Sequence, residues 1–335
     1  MLKDMNPKDI YLGKSEAWMS GITGDSDPIP APDDCLQELD ELRALCMSTS
    51  RESSREEFTI RHSNASYRVS TLNSLSDTIY VLRCMPSSVP TIDELNLHPG
   101  YVNHLMKPGL SGLIVIAGAF AQGKTTTASA LIASRLRRHG GVAITIEDPP
   151  ELPLEGRHGQ GICYQTWVNQ GQFGEACRKT ARYAPNMIFL GEVRDAETAA
   201  EALRASINGR LVVCTTHADS VPTAIERLYS LANGVAGNSD DTSSLLASGL
   251  LCILHQRLEG KIKRPKIEFL WMGDDESHGV KNTIRLRRFD QVGSEVTLQF
   301  NRMLMSSRPS LSTQQILSPD SIPAEGDRRN IFRDH

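Results

Sequence analysis

The apolar positions of this chain follow two different patterns, which predict two kinds of structure. Before residue 86, short runs of alternating apolar and polar residues predict strands, and leucines at helical spacing predict a helix. From residue 108 onward, continuous apolar runs alternate with helical patterns, which predicts a mostly parallel sheet with helices on both faces. The predicted strands are 9–12, 17–19, 58–61, 67–72, 78–83, 113–117, 142–146, 186–191 and 211–215, and the predicted helices are 34–47, 125–138, 172–183, 196–207, 222–232 and 242–254.

These patterns predict an α/β protein of two domains. Residues 1–85 are expected to form a small α+β domain, 86–107 a linker with short helices, and 108–305 the larger α/β domain. Residues 306–335 are polar with little periodicity, which predicts a disordered tail. Three further segments were assigned from their composition, namely surface loops at 23–33 and 48–56 and a strand-rich region at 257–272 and 283–300.

The composition is that of an ordinary globular protein, with 39% hydrophobic and 23% charged residues. A net charge of −4 gives no general reason to expect nucleic-acid binding. The seven cysteines are widely spaced without a Cys-x-x-Cys pair, which predicts reduced, mostly buried thiols. No apolar signal segment opens the sequence, and its apolar runs are shorter than the ~20 residues of a membrane helix. We therefore expect a cytoplasmic protein with, at most, peripheral membrane contact.

The strongest chemical signal is the segment 118–127, Gly-Ala-Phe-Ala-Gln-Gly-Lys-Thr-Thr-Thr, which fits the phosphate-binding pattern Gly-x4-Gly-Lys-Thr. A predicted buried strand precedes it and a helix follows, so backbone N–H groups and a helix N-terminus would face an anion. We expect Lys124 to contact the β- and γ-phosphates and Thr125 to bind Mg²⁺. Ala121 stands where a third glycine is common, so its backbone must adopt a conformation that glycine accepts more easily. The residues predicted to bind ATP are Gly118, Ala121, Gln122, Gly123, Lys124, Thr125 and Thr126.

Polar segments also follow three other predicted strands, at 147–151, 191–195 and 215–218. Because the carboxyl ends of parallel strands meet at one edge of a sheet, we expect these segments beside the phosphate-binding loop. Carboxylates there can hold Mg²⁺ through water or orient an attacking water, and a histidine can sense the γ-phosphate. Each segment alone is weak evidence for a site, since such residues usually belong to solvated loops. These three segments and the phosphate-binding loop, in this order, are hard to attribute to chance.

With these motifs the sequence resembles the bacterial type II/IV secretion superfamily of ATPases, the hexameric motors of type IV pili and of type II and type IV secretion. The resemblance covers nearly the whole chain. It implies a RecA-like P-loop ATPase core with a small α+β, PAS-like N-terminal domain. The four-cysteine zinc module of type II assembly ATPases and an extra leading domain are absent, which favours the compact group of pilus-retraction and type IVB secretion ATPases. The motifs that carry it are the phosphate-binding loop, the acidic box 144–151 (Ile-Thr-Ile-Glu-Asp-Pro-Pro-Glu), the Gly-Glu-Val-Arg-Asp motif at 191–195 and the Thr-His-Ala box at 216–218.

The resemblance also implies roles for individual residues. Glu147 would polarise the attacking water, Glu192 would support Mg²⁺ or that water, and His217 would couple the γ-phosphate to domain motion. Arg194 is expected to be a fourth catalytic residue. The turn after the last sensing arginine reads Ala-Pro-Asn at 184–186 where the family has an acidic residue, Pro and Asp, which weakens any metal role there. The arginines that resemble phosphate sensors, but that also fit plain surface cations, are Arg68, Arg83, Arg178 and Arg182.

The implied working form is a homohexamer, peripheral at the bacterial inner membrane and in contact with platform proteins of a pilus or secretion machine. A nucleic-acid motor on the same RecA-like core, a helicase or packaging ATPase, is an alternative, but the chain offers only a short basic segment at 261–266. A nucleotide-gated scaffold without hydrolysis is another, and Lys124, Glu147 and Glu192 argue against it. The prolines of the linker 86–90 predict a hinge between the two domains.

Overall fold

A computed structural model describes residues 2–306, except 6, 23–27, 54–55, 64, 170, 237, 261–263 and 275–276. The predicted tail at 306–335 therefore lies outside the described residues, apart from its first residue. Parts of the predicted loops at 23–33 and 48–56 and of the basic segment 261–266 lie outside them as well.

The first part of the chain folds around a six-stranded antiparallel sheet, which we call the N-terminal sheet. Its elements are α1 (Leu2–Met5), β1 (Asp9–Leu12), β2 (Ala17–Ser20), β3 (Ile29–Pro30), α2 (Leu36–Ser53), β4 (Glu57–His62), β5 (Ala65–Asn73) and β6 (Thr78–Cys84). The strands follow the order β3-β2-β1-β6-β5-β4, and β4, β5 and β6 form the predicted meander. Leu39, Leu42 and Cys46 of α2 join the buried core of this sheet. The predicted strands and the predicted helix of this part are confirmed.

One boundary in this part was wrong. The predicted surface loop at 48–56 begins too early, because α2 continues to Ser53. The polar residues of this last stretch predict a loop by composition, but in a helix they need only face water once the preceding turns are anchored in the core. Tertiary packing of the first turns thus extends a helix that local composition alone would end.

The second part folds around an eight-stranded sheet, which we call the central sheet. Its order is β14-β13-β7-β12-β11-β8-β10-β9, parallel from β13 to β10 with an antiparallel strand at each edge. The predicted α/β architecture is confirmed. The elements are α3 (Pro99–Leu105), β7 (Gly112–Ala117), α4 (Lys124–His139), β8 (Gly141–Glu147), β9 (Gly156–His158), β10 (Gly161–Trp167), α5 (Phe173–Ala181), β11 (Met187–Leu190), α6 (Ala196–Ile207), β12 (Leu211–Thr216), α7 (Val221–Ala236), α8 (Ser239–Gly249), β13 (Leu250–Glu259), β14 (Arg264–Trp271), α9 (His278–Arg285) and α10 (Val292–Ser306).

Both faces of the central sheet are buried, which is why its strands are continuous apolar runs. Leu113 and Val115 of β7 belong to the core shared with α6 and α7, whereas Ile114 and Ile116 belong to the core shared with α4. Every residue of β7, β11 and β12 is buried. Such strands leave polar groups only at their ends, and this places the chemistry at one edge.

Two predictions for the second part were wrong. The predicted helix 242–254 ends at Gly249, and β13 starts at Leu250. The predicted strands in 283–300 are helices, because Val280 and Ile284 of α9 and Val292 and Val296 of α10 pack at helical spacing. In addition, two strands, β9 at the edge and β10 beside it, were not predicted at all.

The linker between the two sheets packs against the second part. Val89 and Ile92 are buried in the core that contains α4, and the backbone N–H of Ile92 donates to Ser134 Oγ over 3.0 Å. A turn of 3-10 helix at Asp93–Leu95 and α3 match the predicted short helices. The free segment in which the predicted hinge can bend is therefore shorter than 86–90.

The remaining expectations from composition concern cysteines and membranes. All seven cysteines are free thiols, and all but Cys84 are buried, as predicted. Within the described ranges, no helix has the length and apolar character needed to cross a membrane.

Candidate active site

The phosphate-binding loop leaves the carboxyl end of β7 and enters α4. Gly118, Ala121 and Gly123 have positive φ angles of 152°, 58° and 75°. A Cβ at Gly118 would lie 2.4 Å from the backbone oxygen of Gln256, so only glycine fits at that position. Ala121 adopts the left-handed conformation that its position in the motif predicted. These turns bring the loop back around the N-terminus of α4.

A residue that the sequence analysis missed, Gln256 of β13, holds this loop in place. Its Nε2 donates to the carbonyl oxygen of Gln122 over 2.6 Å, and its Oε1 accepts from the Thr127 hydroxyl over 2.8 Å. The backbone N–H of Leu258 donates to the Gln122 side chain over 2.6 Å. The sequence carried no signal for this contact because the strand was predicted in part as a helix.

A cavity of about 670 Å³ opens at the carboxyl edge of the central sheet. Lys124 of α4, Glu147 at the end of β8, Glu192 after β11 and His217 after β12 all line it. The structure thus brings together the four polar segments that the sequence predicted to meet. Among the predicted ATP-binding residues all but Gly118 line the cavity, namely Ala121, Gln122, Gly123, Lys124, Thr125 and Thr126.

Four charged or titratable side chains form a continuous chain across the cavity. Lys124 Nζ donates to the carbonyl of Ala119 over 2.7 Å and lies 3.4 Å from His217 Nδ1. His217 Nε2 lies 3.3 Å from one oxygen of Glu192, and Arg194 binds the other oxygen over 2.7 Å. Because an ammonium can only donate and a carboxylate can only accept, Nδ1 of His217 is the acceptor and Nε2 carries the proton. Any change at Lys124 therefore reaches Glu192 through His217.

Burial shifts the proton affinity of the two basic members of this chain. Burial lowers the pKa of Lys124, opposed by the charges of Glu192 and Glu151. Burial and then the neighbouring Lys124 charge lower the pKa of His217, which favours the neutral imidazole that its contacts require. A buried ammonium whose partners are a carbonyl and a neutral imidazole keeps its full charge, so it is a strong site for an anion.

Glu147 is the most buried acid of the cavity, with 2% of its surface exposed. Burial raises its pKa to about 7, although hydrogen bonds from Thr145, Gln165 and the backbone of Glu151 oppose the shift. A carboxyl group with a pKa near neutrality can accept a proton at physiological pH. Glu147 thus has the properties of a general base.

The four arginines predicted as phosphate sensors are all absent from the lining of this cavity. Arg83 is paired with Asp9 over 2.8 Å, and Arg68 with Glu57 over 3.0 Å, both within the N-terminal sheet. Arg178 is paired with Glu197 and Glu201 of α6 over 2.6 and 3.4 Å, and Arg182 is exposed at the end of α5. The chain alone does not bring them to the phosphate-binding loop, and their sensing role stays a prediction.

The Ala-Pro-Asn turn at 184–186 precedes β11 and so lies at the amino ends of the parallel strands, opposite the cavity. Asn186 precedes β11, and its Oδ1 accepts from the backbone N–H of Val142 over 2.8 Å. A Cβ on Gly141 would lie 2.6 Å from this oxygen, so the contact is tight. The side chain of Asn186 ties the start of β8 to β11.

Within the described residues, no group of three or more His, Cys, Asp or Glu side chains could hold a metal ion by itself. Mg²⁺ differs from other metals in that it keeps several waters and uses few protein ligands together with phosphate oxygens. The Thr125 hydroxyl and, through water, Glu192 provide oxygen donors of this type in the cavity. The site therefore fits Mg²⁺ bound together with a nucleotide.

Known proteins share this fold and parts of this sequence. The crystal structure of the pilus retraction motor PilT with bound ADP matches with a TM-score of 0.71 over 95% of both chains, at 24% identity. At this identity the match establishes the fold. The competence protein ComGA of Bacillus subtilis (strain 168) is 32% identical over 178 residues, which are 50% of this chain and 48% of that protein. The type IV pilus ATPase PilU of Pseudomonas aeruginosa is 32% identical over 214 residues, 61% of this chain and 53% of that protein.

The chain thus spans about half the length of these curated relatives. The family model described as "Type II/IV secretion system protein" matches residues 48–295, which is most of the 335-residue chain. This match confirms the resemblance that the phosphate-binding loop, the acidic box and the two later motifs carried. The chain belongs to the type II/IV secretion system protein family.

Proposed function

We propose that this protein is a Mg²⁺-dependent ATP hydrolase. The observation that supports this most directly is the convergence of Lys124, Glu147, Glu192 and His217 on one cavity beside the phosphate-binding loop. A cation for the phosphates, a base of near-neutral pKa and a carboxylate held by a histidine and an arginine are the groups that phosphoryl transfer to water needs. A nucleotide-gated scaffold would have no use for the base.

In this mechanism each side chain has a separate task. Lys124 exchanges its contact with the Ala119 carbonyl for the β- and γ-phosphates, and the backbone N–H groups of the loop bind the same charge. Glu147 accepts a proton from the attacking water, helped by the burial that raises its pKa. His217 lies between Lys124 and Glu192, so loss of the γ-phosphate would change its hydrogen bonds on both sides.

The divalent ion would be held by the Thr125 hydroxyl and by phosphate oxygens, with Glu192 acting through water. Bound Mg²⁺ would supply charge neutralisation for the phosphates. Arg194 holds the second oxygen of Glu192 over 2.7 Å, and this pairing fixes which way the carboxylate faces. The arrangement is the one that a bound nucleotide with its ion would complete.

We further propose that the ATPase is the motor subunit of a type IV pilus or of a type IV secretion machine, of the IVB or conjugative kind. The support is family membership together with the named relatives, a type IV pilus ATPase and a pilus retraction motor. The proposed working form is a homohexamer in the cytoplasm, bound peripherally to platform proteins of the inner membrane. The relatives give no support to the alternative of a nucleic-acid motor.

The test is release of phosphate from ATP with Mg²⁺, for the full chain and for Lys124→Ala. We expect Lys124→Ala to lose nearly all turnover, because the phosphates lose their fixed counter-ion, while the variant still folds. Lys179→Ala is the matched control, since Lys179 is an exposed lysine paired with Glu175 on α5. Equal turnover in Lys124→Ala would end the assignment, and turnover that depends on added DNA would favour the nucleic-acid motor.

A further inference from the structure

The strand β10 lies between β8 and β9, was not predicted from the sequence, and carries a side chain that reaches Glu147. Gln165 Nε2 donates to Glu147 Oε1 over 2.9 Å. We infer that Gln165 is a positioning residue, which fixes the carboxylate of Glu147 in the orientation that proton transfer from water requires. This inference rests on the proposed ATPase function and adds a residue to it that no motif of the sequence singled out.

The contacts of Gln165 leave its side-chain amide one orientation. Its Nε2 also donates to the carbonyl oxygen of Leu152 over 2.8 Å, and its Oε1 accepts from the backbone N–H of Glu155 over 3.3 Å. The backbone carbonyl of Leu152 can only accept and the backbone N–H of Glu155 can only donate. Exchanging the amide oxygen and nitrogen of Gln165 would therefore break both bonds. The N–H that faces Glu147 is therefore fixed by two anchors outside the catalytic group.

A second side chain of β10, Trp167, also binds the acidic segment 147–151. Trp167 lies opposite Glu147 in the parallel register, and its Nε1 donates to Asp148 Oδ1 over 3.0 Å. Gln165 and Trp167 are two positions apart and thus point to the same face of the strand. One strand therefore holds two consecutive acids of the segment, each by one side-chain N–H.

The hydrogen bond from Gln165 matters because Glu147 is buried. Burial favours the neutral carboxylic acid, and a donor aimed at Oε1 favours the carboxylate instead. Removing the donor should therefore make Glu147 harder to ionise, in addition to freeing its rotation. The titratable groups near Glu147 include Glu151 in its own segment, Glu155 and, on β10, Cys163. Those that line the same cavity are Lys124, Asp148, Glu192, Arg194, Asp195 and His217.

The experiment is the pH profile of kcat for Gln165→Met, which keeps the length of the side chain and removes the donor. Loss of a hydrogen bond to a charged group should move the acidic limb of the profile up by about one pH unit. With a starting pKa of about 7, turnover at pH 7 should fall about fivefold and return to within about twofold of the unchanged protein at pH 9. A residue with only a structural role would lower turnover equally at every pH.

Two matched controls isolate the contact. Tyr164→Phe changes the neighbouring residue, whose side chain is exposed on the other face of β10, and should leave the profile unchanged. Adding Gln165→Met to Glu147→Gln should cause no further loss, because both changes act on one interaction. Gln165→Asn, whose amide is one methylene too short to reach Glu147, is the second variant if Gln165→Met does not fold.

Folding and nucleotide binding are checked by thermal unfolding and by ADP titration of each variant. A shifted acidic limb with recovery at high pH supports the inference. An unshifted profile, or a loss that is the same at every pH, overturns it while the proposed ATPase stands. If the unchanged protein releases no phosphate, or releases it independently of Lys124, the proposed function itself fails and Gln165 has no such role.

Discussion

At the scale of single residues, burial of Glu147 in the cavity lowers the free energy of unfolding above acidic pH. The free energy of unfolding depends on pH wherever a group has different proton affinities in the folded and unfolded chain. Burial raises the pKa of Glu147 from 4.5 to about 7. Between these two values Glu147 is ionised in the unfolded chain but still protonated in the folded chain. The free energy of unfolding therefore falls as the pH rises through this window. Above about pH 7 the loss is complete and stays constant.

The variant Glu147→Gln should therefore be more stable than the unchanged protein at pH 8. The expected gain is about 3.5 kcal/mol at most, because the pKa rises from 4.5 to about 7 and each pH unit corresponds to about 1.4 kcal/mol. Near pH 4, below both pKa values, the two proteins should unfold at nearly the same temperature, because Glu147 is then largely neutral in the folded and in the unfolded chain. Thermal unfolding at the two pH values measures this, and equal melting at pH 8 would contradict the burial argument. The same variant should bind ATP and hydrolyse it slowly.

Glu192 contributes in another way, through its partners. Its two oxygens are shared between His217 and Arg194, so Glu192→Gln keeps the shape and removes the charge that both partners face. We expect ATP binding to persist and hydrolysis to fall by about tenfold or more. Nucleotide titration and phosphate release on one preparation separate the two effects. Glu175→Gln, an exposed glutamate on α5, is the control, and unchanged hydrolysis in Glu192→Gln would remove Glu192 from the mechanism.

At the scale of elements, the sequence predicted those parts of the fold whose pattern has one interpretation. The buried strands β7, β8, β11 and β12 are apolar runs bounded by turns, and their polar ends located the cavity. Leu250 to Leu254 is also an apolar run, but such a run fits a helix as well as a strand, and only pairing with β7 decides for β13.

The missed residues of the site have the same cause. Gln165 and Gln256 lie on strands that the pattern did not identify, and glutamines without a motif carry no chemical signal. Their function arises from register, which places Gln165 opposite Thr145 and next to Glu147 across the parallel pair. Motifs therefore predicted the groups that line the cavity, whereas the groups that hold them in place required the structure.

The hydrogen bonds by which β13 holds the phosphate-binding loop can be tested at Gln256. Gln256→Ala leaves the Gln122 carbonyl without its donor and the Thr127 hydroxyl without its acceptor. We expect the free energy of unfolding to fall by about 1–3 kcal/mol and ATP to bind more weakly, because the loop is less ordered before binding. Arg257→Ala, at the next and half-exposed position, is the control. Unchanged ATP affinity in Gln256→Ala would mean that the loop keeps its shape without β13.

At the scale of the whole molecule, the two sheets meet next to the acidic segment. Trp167, whose Nε1 binds Asp148, packs against the core of the N-terminal sheet. The charge of Glu151, at the cavity, is among those that raise the pKa of Arg83, after the larger effect of its bond to Asp9. The N-terminal sheet therefore lies close enough for its Arg83 to interact electrostatically with Glu151 at the cavity, although neither Arg68 nor Arg83 lines that cavity.

If the protein works as a ring of six, a neighbouring subunit can bring such an arginine to the nucleotide. Closed cyclic symmetry makes every site of this shared kind equivalent. We expect light scattering to give the mass of a hexamer when ATP is bound, and turnover per subunit to fall on dilution. Only monomers with turnover independent of concentration would contradict the ring.

The sharing of sites can be tested by mixing two impaired proteins, Lys124→Ala and Arg83→Ala. Arg83→Ala should turn over slowly while its ATP affinity changes little, because the arginine is needed when charge develops on the γ-phosphate. In randomly mixed rings, about a quarter of the sites would combine an intact Lys124 with an intact Arg83 from the next subunit, so turnover should recover in proportion. If Arg83 serves the nucleotide of its own chain, no mixed site contains both and nothing recovers. Mixing Lys124→Ala with Glu192→Gln is the control without recovery, since both side chains line the cavity of one chain. An Arg83→Ala protein with full turnover would show that Arg83 is a surface cation paired only with Asp9.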